Sequence, residues 1–533
     1  MDIRNRKLVA FLPIVFALLI VAGIYIGMRL ASNGNNNRLL VYPRADKFNS
    51  ILDMIEDTYV DSVSRSSLEE TAINSVLKKL DPHSVYIPAS ELESVNEPLE
   101  GTFSGIGVQF NFQNDTIIVV NTVTGGPSEK SGILPGDRIV KVNDTIVAGI
   151  KLDSEKIVRR LKGLEGTSVK LSVFRMGNKD LKDFKVTRAR IPLKSVDVAF
   201  IAAPEIGYMK ISKFAKTTFS EFKQAIESLK GKGMKKKLII DLRENGGGLL
   251  TSATDIADQF LDDKELIVFT KGKARQKMDT YSKPSGLCID YNLVLLIDEY
   301  SASASEVLAG ALQDNDRAIV IGRRSFGKGL VQEQVLLPDG SAVRLTIARY
   351  YTPTGRSIQK PYNNGTDKYY EELDERISHG ELEQQDSIHF ADSLKFTTPK
   401  GKIVYGGGGI MPDIFIPLDT SGTKFYKNVL QSGLIYQFAF LYSDQNRSKL
   451  KTCKNIEELK LLLRGKNILN DFIAFARKHG ISPNQSDIRI SAPAIENQIF
   501  ANIGRNFFDD DGFYPIILER DKCVNEAIKV LKN

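Results

Sequence analysis

Three serines alternate in "EYSASASEVLAGAL" (299–312): Ser301, Ser303 and Ser305, set between an apolar run and a helical pattern. A serine hydroxyl becomes a nucleophile only when a proton acceptor stands beside it. The stretch also has a second reading. Ser303-Ala304-Ser305-Glu306 fits the S-x-x-E capping box, in which hydroxyl and carboxylate satisfy orphan N–H groups at a helix start. The choice turns on whether a base exists elsewhere. Histidine is scarce, with only His83, His379, His389 and His479 available. The other candidate is Lys328 in "GRRSFGKGLVQ", one strand beyond the serines. A lysine base must be neutral, whereas an ordinary lysine, with a pKa near ~10.4, is almost wholly charged at neutral pH. Lowering it by roughly 3 units takes about 4 kcal/mol of differential solvation, which burial between apolar strands can supply.

Two competing motifs fail on context. Gly322-x4-Gly327-Lys328 approaches a phosphate-binding loop, but Gly329 stands where a magnesium-holding hydroxyl belongs and a strand follows instead of a helix. Ser325-Phe326-Gly327-Lys328 spells S-x-x-K, a motif that belongs on a helix, yet glycines flank this lysine. Metal and disulfide chemistry are disfavoured too. The three cysteines, Cys288, Cys453 and Cys523, lie far apart with no C-x-x-C pair. The net charge of +7 is spread over 533 residues, and basic runs such as Lys235-Lys236-Lys237 are short, which makes no nucleic-acid footprint.

A chain of this length calls for several domains, so the elements that position these residues are read segment by segment. Leu8–Met28 holds 21 residues without a charge, enough as a helix to span roughly 31 Å of bilayer. Arg4, Arg6 and Lys7 precede it, which keeps residues 1–7 in the cytosol and exports the rest. The run exceeds a signal-peptide core and no A-x-A site follows, so an uncleaved anchor (8–28) is expected, with a cleaved signal as the alternative. A polar tether (29–44) leads to a helical region (45–100) broken by "LDPHSVYIP". Residues 101–190 change to short β-branched runs with glycine punctuation around one helix, "DSEKIVRRLKG". From 191 to 420 buried strands alternate with helices, as in a sheet covered by helices. The helix "TFSEFKQAIESLKGKG" carries Thr218-x-x-Glu221 as a capping box, and 363–400 reads as a polar insertion. Residues 421–533 are helical throughout. The fold class is multidomain α/β. Ser303 falls where the strand "YNLVLLIDEY" ends and a helix begins, a turn that exposes a hydroxyl and aims N–H groups at a developing oxyanion.

Taken together, these motifs resemble the C-terminal processing peptidases (tail-specific proteases). The resemblance covers roughly residues 45–420 and rests on "SASASE", the lysine of "FGKG" with Gln332 four positions on, "DLRENGGG", "LDPHSVYI" and "GGGGIMPDIFIP". It implies that Ser303 is the nucleophile, Lys328 the general base and Gln332 the residue that orients the lysine. It further implies an oxyanion hole from the N–H groups of Gly247 and Ala304, with Gly246 standing where many members have proline. The 101–190 module resembles a PDZ domain. Its "FSGIGVQF" stretch is similar to a carboxylate-binding loop, in which Gly105, Ile106, Gly107 and Val108 would capture a peptide C-terminus. Lys162 precedes Gly163 where relatives are expected to carry arginine, which keeps the charge without the bidentate fork. The expected protein is a membrane-anchored serine endopeptidase that needs no metal or cofactor. Its catalytic part would lie on the periplasmic side of a bacterial inner membrane. The expected partners are protein C-termini and the membrane, with a homo-oligomer or an activator protein left open. The alternative is a catalytically silent PDZ scaffold.

Overall fold

Residues 16–26, 47–113, 115–150, 154–284, 286–388, 390–420 and 422–533 are described by a computed structural model. The chain divides into two units, Met1–Ser75 and Val76–Asn533. In the first unit, residues 16–26 are helical and expose apolar side chains such as Phe16, Leu19 and Ile24. Residues 8–15 and 27–28 of the expected 8–28 span, and the 29–44 tether, lie outside the described residues. Among the described residues no helix is long and apolar enough to cross a membrane. The helix Lys47–Thr58 is tied to the start of the next by Arg65, which donates to Glu69 at 2.9 Å and to Asp53 at 2.5 Å.

The second unit begins with the rest of the expected helical region. A helix over Ala89–Glu100 follows a short strand, Val85–Ile87, which joins a sheet of the α/β core by pairing with Ala342–Tyr351. The chain then enters the β-rich module. Its sheet runs in the order β1 (Val108–Gln113), β2 (Thr116–Thr122), β3 (Arg138–Val142), β4 (Ser168–Phe174) and β5 (Lys182–Thr187). Strand alternation sends Ile117 and Val119 inward, to a core completed by Ile157 and Leu161 of helix α1 (Ser154–Leu161). A stem of Thr102–Gly105 paired with Ala189–Pro192 brings the entering and leaving chain side by side.

The α/β core is built on a six-stranded sheet in the order β6 (Val196–Ala203), β7 (Ile206–Ile211), β8 (Lys237–Asp241), β9 (Asn292–Ile297), β10 (Ile319–Gly322) and Ile414–Phe415. Only the first pair is antiparallel. Period-2 alternation splits each run between two faces: Leu238 and Ile240 point to one, Ile239 to the other. The first face is covered by α2 (Thr218–Gly231), α3 (Leu250–Asp258) and α4 (Ala304–Asp314). The second is covered by the end of the chain, where Cys523, Val524, Ala527 and Leu531 of the last helix (Lys522–Lys532) pack on Tyr208, Ile239 and Val294. The C-terminal region is therefore partly core: its final helix closes the sandwich.

One expectation changes. Thr217, not Thr218, is the N-cap of α2, and the Glu221 carboxylate accepts from the N–H groups of Ser195 (2.8 Å) and Val196 (2.9 Å), so the Thr218–Glu221 box does not form. The carboxylate satisfies a strand end instead of its own helix. Residues 363–400, expected as a polar insertion, pack closely on the core. The helix Thr366–Ser378 packs on the loop that carries Lys328, where buried Arg376 donates to the Arg324 carbonyl at 2.8 Å and the Ser325 carbonyl at 3.2 Å.

Candidate active site

The three serines separate by environment. Ser301 and Ser305 are fully buried, and their hydroxyls donate to the carbonyls of Leu242 and Asn245, each at 2.8 Å. They staple the serine stretch to the "DLRENGGG" turn. Ser303 is partly exposed, with φ +55° and ψ −115°, a left-handed backbone that costs a non-glycine residue on the order of 1–3 kcal/mol. It is the N-cap of α4, so the hydroxyl stands at the mouth of a helix and Ala304, as first helical residue, has no intrahelical acceptor for its N–H.

Glu306 joins the two candidate dyad members. One of its oxygens accepts from the Ser303 N–H and from the Lys328 N–H, both at 2.8 Å. The other accepts from the Gly327 N–H at 2.7 Å and the Ser325 hydroxyl at 2.5 Å. Residues 25 positions apart in sequence thus meet on a single oxygen. The buried Tyr350 hydroxyl adds a second clamp, in contact with the Ser303 carbonyl at 3.0 Å and with the Lys328 carbonyl.

The Lys328 amine donates to Gln332 Oε1 at 3.2 Å, and the Gln332 amide nitrogen donates in turn to the His83 carbonyl. That second bond fixes which end of the amide faces the lysine. The His83 segment is held by Asp81, whose carboxylate accepts from the N–H groups of His83 (2.8 Å) and Ser84 (2.9 Å) and from Thr346 Oγ1 (3.1 Å). Among the described residues no hydrogen bond joins the Ser303 hydroxyl to the Lys328 amine. Such bonds commonly tighten only with substrate in place.

Electrostatics shift the amine toward its neutral form. Burial, and then the charge of Arg344, lower the Lys328 pKa, while Glu306 and Asp81 pull the other way. Burial, and then Lys328, lower His83 to about 4, so this imidazole stays neutral and adds no charge. Burial raises Glu306 to about 7 against the pull of its four hydrogen-bond donors.

Gly247 lies against the serine turn. A Cβ there would sit 2.7 Å from the Ala302 carbonyl oxygen, 2.8 Å from Ser303 Cβ and 3.0 Å from the Ala304 nitrogen, and φ is +101°. Only glycine fits this approach. Its N–H, however, donates to Asn245 Oδ1 at 2.9 Å, so Gly247 has the proximity expected of an oxyanion-hole residue but not a free donor.

Comparison with known proteins fits this geometry. Residues 205–367 match peptidase family S41, residues 104–187 a PDZ domain, and residues 425–509 a family of unknown function, DUF8443. Over 347 residues the chain is 36% identical to the carboxy-terminal-processing protease of Bartonella bacilliformis, spanning 64% of this chain and 79% of that protein. The chain belongs to this family of S41 peptidases. It is a serine endopeptidase of the carboxy-terminal-processing class, with a PDZ domain and a helical C-terminal region. It is also 35% identical over 353 residues to a probable CtpA-like serine protease of Staphylococcus aureus, across 66% of this chain and 69% of that one. The photosystem II D1 C-terminal processing protease is similar over 71% of this chain and 93% of its own, at 25% identity and a TM-score of 0.35.

In the PDZ domain of this S41 peptidase, the carbonyl of Ile106 accepts from the Ser128 N–H (3.1 Å) and hydroxyl (2.6 Å), and that of Gly107 from the Val123 N–H (3.0 Å). These bonds fix the Gly105–Val108 turn with Gly107 at φ +70°. Strand β1, which starts at Val108, is a sheet edge: among the described residues its ladder partner is β2 alone. Lys162 is engaged by Glu97 and lies 5.2 Å from the Phe103 ring centre.

Of the residues expected in one site, Lys328 is hydrogen-bonded to Gln332, and Ser303 meets Lys328 through the backbone N–H groups that share a Glu306 oxygen. Sequence reasoning missed Tyr350, Asp81 and the His83 carbonyl, and it knew Glu306 only as a cap. The S-x-x-E spacing was the available signal for Glu306. Tyr350, within a strand of ordinary alternation, gave none.

Proposed function

We propose that this S41 peptidase is a membrane-anchored endopeptidase that captures the C-terminal tails of protein substrates in its PDZ domain and cuts them with a Ser303–Lys328 dyad. The observation that carries the dyad is the meeting of the Ser303 and Lys328 backbone N–H groups on one Glu306 oxygen, beside an amine whose pKa burial lowers. Neutral Lys328 takes the Ser303 proton as Oγ attacks the scissile carbonyl. The developing oxyanion is met by the Ala304 N–H, and by the Gly247 N–H once it leaves Asn245. The lysine then passes its proton to the departing amine, and a water, deprotonated by the same lysine, releases the acyl group. Gln332 holds the amine on line throughout.

Tail capture rests on the Gly105–Val108 turn and the open edge of β1, the geometry for adding a peptide strand with its carboxylate at the turn. Anchoring rests on the 21 uncharged residues Leu8–Met28 behind Arg4, Arg6 and Lys7, which put the catalytic part on the periplasmic face of a bacterial inner membrane.

The test combines two substrates and one variant. A peptide with a free apolar C-terminus and the same peptide amidated are incubated with the parent and with Ser303→Ala. Charge-assisted hydrogen bonds are worth about 1.5–3 kcal/mol, so amidation should lower cleavage efficiency roughly 10- to 150-fold. Ser303→Ala should cut neither. Equal cleavage of both peptides by the parent would end the tail-capture reading, and cleavage by Ser303→Ala would end the dyad.

A further inference from the structure

The region matching the family of unknown function does not stand apart. Its helix Leu434–Gln445 reaches the PDZ domain, where Phe440 is buried against Ile118 and Val120 on the outer face of β2. Those two side chains point away from the PDZ core, so the C-terminal region supplies the layer that covers them. Polar bonds frame the contact. Arg138 of β3 donates to Asp444 at 3.0 Å, and Asn121 donates to Asp509 at 2.6 Å. Asp509 sits at the corner of a sharp bend, φ +52°, in the helical run Gln485–Ile517, whose two arms approach closely at Gly504 and Gly512.

The chain beyond that region is fixed to the catalytic core. The last helix of the chain closes the second face of the sheet. Asp521, the N-cap of that helix, accepts from Arg243 at 2.8 Å, and Arg243 belongs to the turn that leads to Gly247.

We propose that the C-terminal region is a brace that holds the PDZ domain at a fixed position relative to Ser303, so that cleavage falls at a narrow range of distances from a captured tail. This deepens, and rests on, the reading of the PDZ domain as the tail site. A module joined to the core only by its two-strand stem and the single Lys162–Glu97 pair would sample many orientations, and a captured peptide would then present many bonds to the serine. The PDZ–extension contact removes that freedom.

The experiment uses the full chain with nitroxide labels at Lys179→Cys in the PDZ domain and Lys232→Cys in the core, both exposed. A Cys453→Ser background is used because Cys288 and Cys523 are buried. Pulsed electron resonance measures the label distance, and mass spectrometry maps the cut bonds in a peptide with a free apolar C-terminus. The parent should give one narrow distance and one or two adjacent cuts. Phe440→Ala removes the apolar contact, which should raise the detached population on the order of 10²-fold, broaden the distance and spread the cuts. Arg138→Glu, a milder surface change that puts a carboxylate against Asp444, should do the same to a lesser degree, and it decides the matter should Phe440→Ala misfold. An unchanged distance and cut pattern in a folded variant would overturn the brace. A parent that cuts free and amidated peptides alike would instead overturn tail capture, while the label distance still reports on the brace.

Discussion

Replacing Gly247 with alanine tests the site where the geometry leaves least room. The new methyl would lie 2.7 Å from the Ala302 oxygen, 2.8 Å from Ser303 Cβ and 3.0 Å from the Ala304 nitrogen, where ordinary contacts begin at 3.4 Å. All but one of these neighbours are backbone, and none can swing aside as a long side chain would. The serine turn must therefore shift by roughly half an ångström, while alanine at φ +101° adds strain of about 1–3 kcal/mol and overpacking a similar amount. A misplacement approaching 1 Å near the reacting atoms costs on the order of 10²-fold in rate. kcat/KM on the tail peptide should fall by about that factor, with circular dichroism reporting a retained fold. Gly246→Ala is the matched control. No atom lies within 4 Å of its added methyl and its φ is not left-handed, so it should stay within about two-fold of the parent. Parent-like turnover in Gly247→Ala, or a loss in Gly246→Ala as large as in Gly247→Ala, would refute the argument that Gly247 is the glycine fitted against the nucleophile.

Ser303→Ala should abolish turnover with the fold intact, whereas Ser301→Ala and Ser305→Ala should retain turnover but melt earlier, each losing one buried hydrogen bond worth about 0.5–1.5 kcal/mol; kinetics and melting of the three variants read this directly. Lys328→Arg keeps a cation that cannot become neutral, so activity should vanish as it does in Lys328→Ala. The parent's rate should rise with pH through a pKa below the ordinary lysine value, and a pH–rate profile that falls over that range would contradict the base assignment. Glu306, raised to about 7, keeps its proton in the fold between about pH 4.3 and 7 while the unfolded chain has released it. Its contribution to stability should therefore decline by about 3 kcal/mol as pH rises across that window and level off above it. Glu306→Gln should lose this slope, measured by denaturant unfolding at several pH values, while lowering overall stability because an amide nitrogen then faces N–H donors.

Much of the fold was legible because burial on two faces writes continuous apolar strands. "KKLIID" and "NLVLLI" became adjacent parallel strands with glycine- or serine-bearing turns at their ends. Contacts made by polar side chains across long separations were not legible. Glu221 has the spacing of a capping residue yet serves a strand end, since nothing local reveals that Ser195 and Val196 offer unsatisfied N–H groups. Residues 363–400 are polar because Arg376, Glu381 and Glu372 form a charged network around Arg324, and composition alone cannot distinguish such a network from a solvated loop. The last helix of the chain looks amphipathic and unassigned; that it covers the catalytic sheet follows only from which sheet face remained bare.

The two readings of the serine stretch turn out to be one arrangement. A cap needs a non-helical backbone at Ser303 with its carboxylate partner three residues on, and a nucleophile at a strand-to-helix turn needs the same backbone so that its oxygen stands clear of the sheet. Glu306 then does more than cap. Its carboxylate spends one interaction on the Ser303 N–H and the other three on the lysine loop, at Ser325, Gly327 and Lys328. A carboxylate can accept all four because it has no donor of its own; burial lifts it to about 7, and the four donors pull the other way while leaving no oxygen unsatisfied. The same S-x-x-E that made capping the simpler explanation is therefore what brings the lysine to the serine.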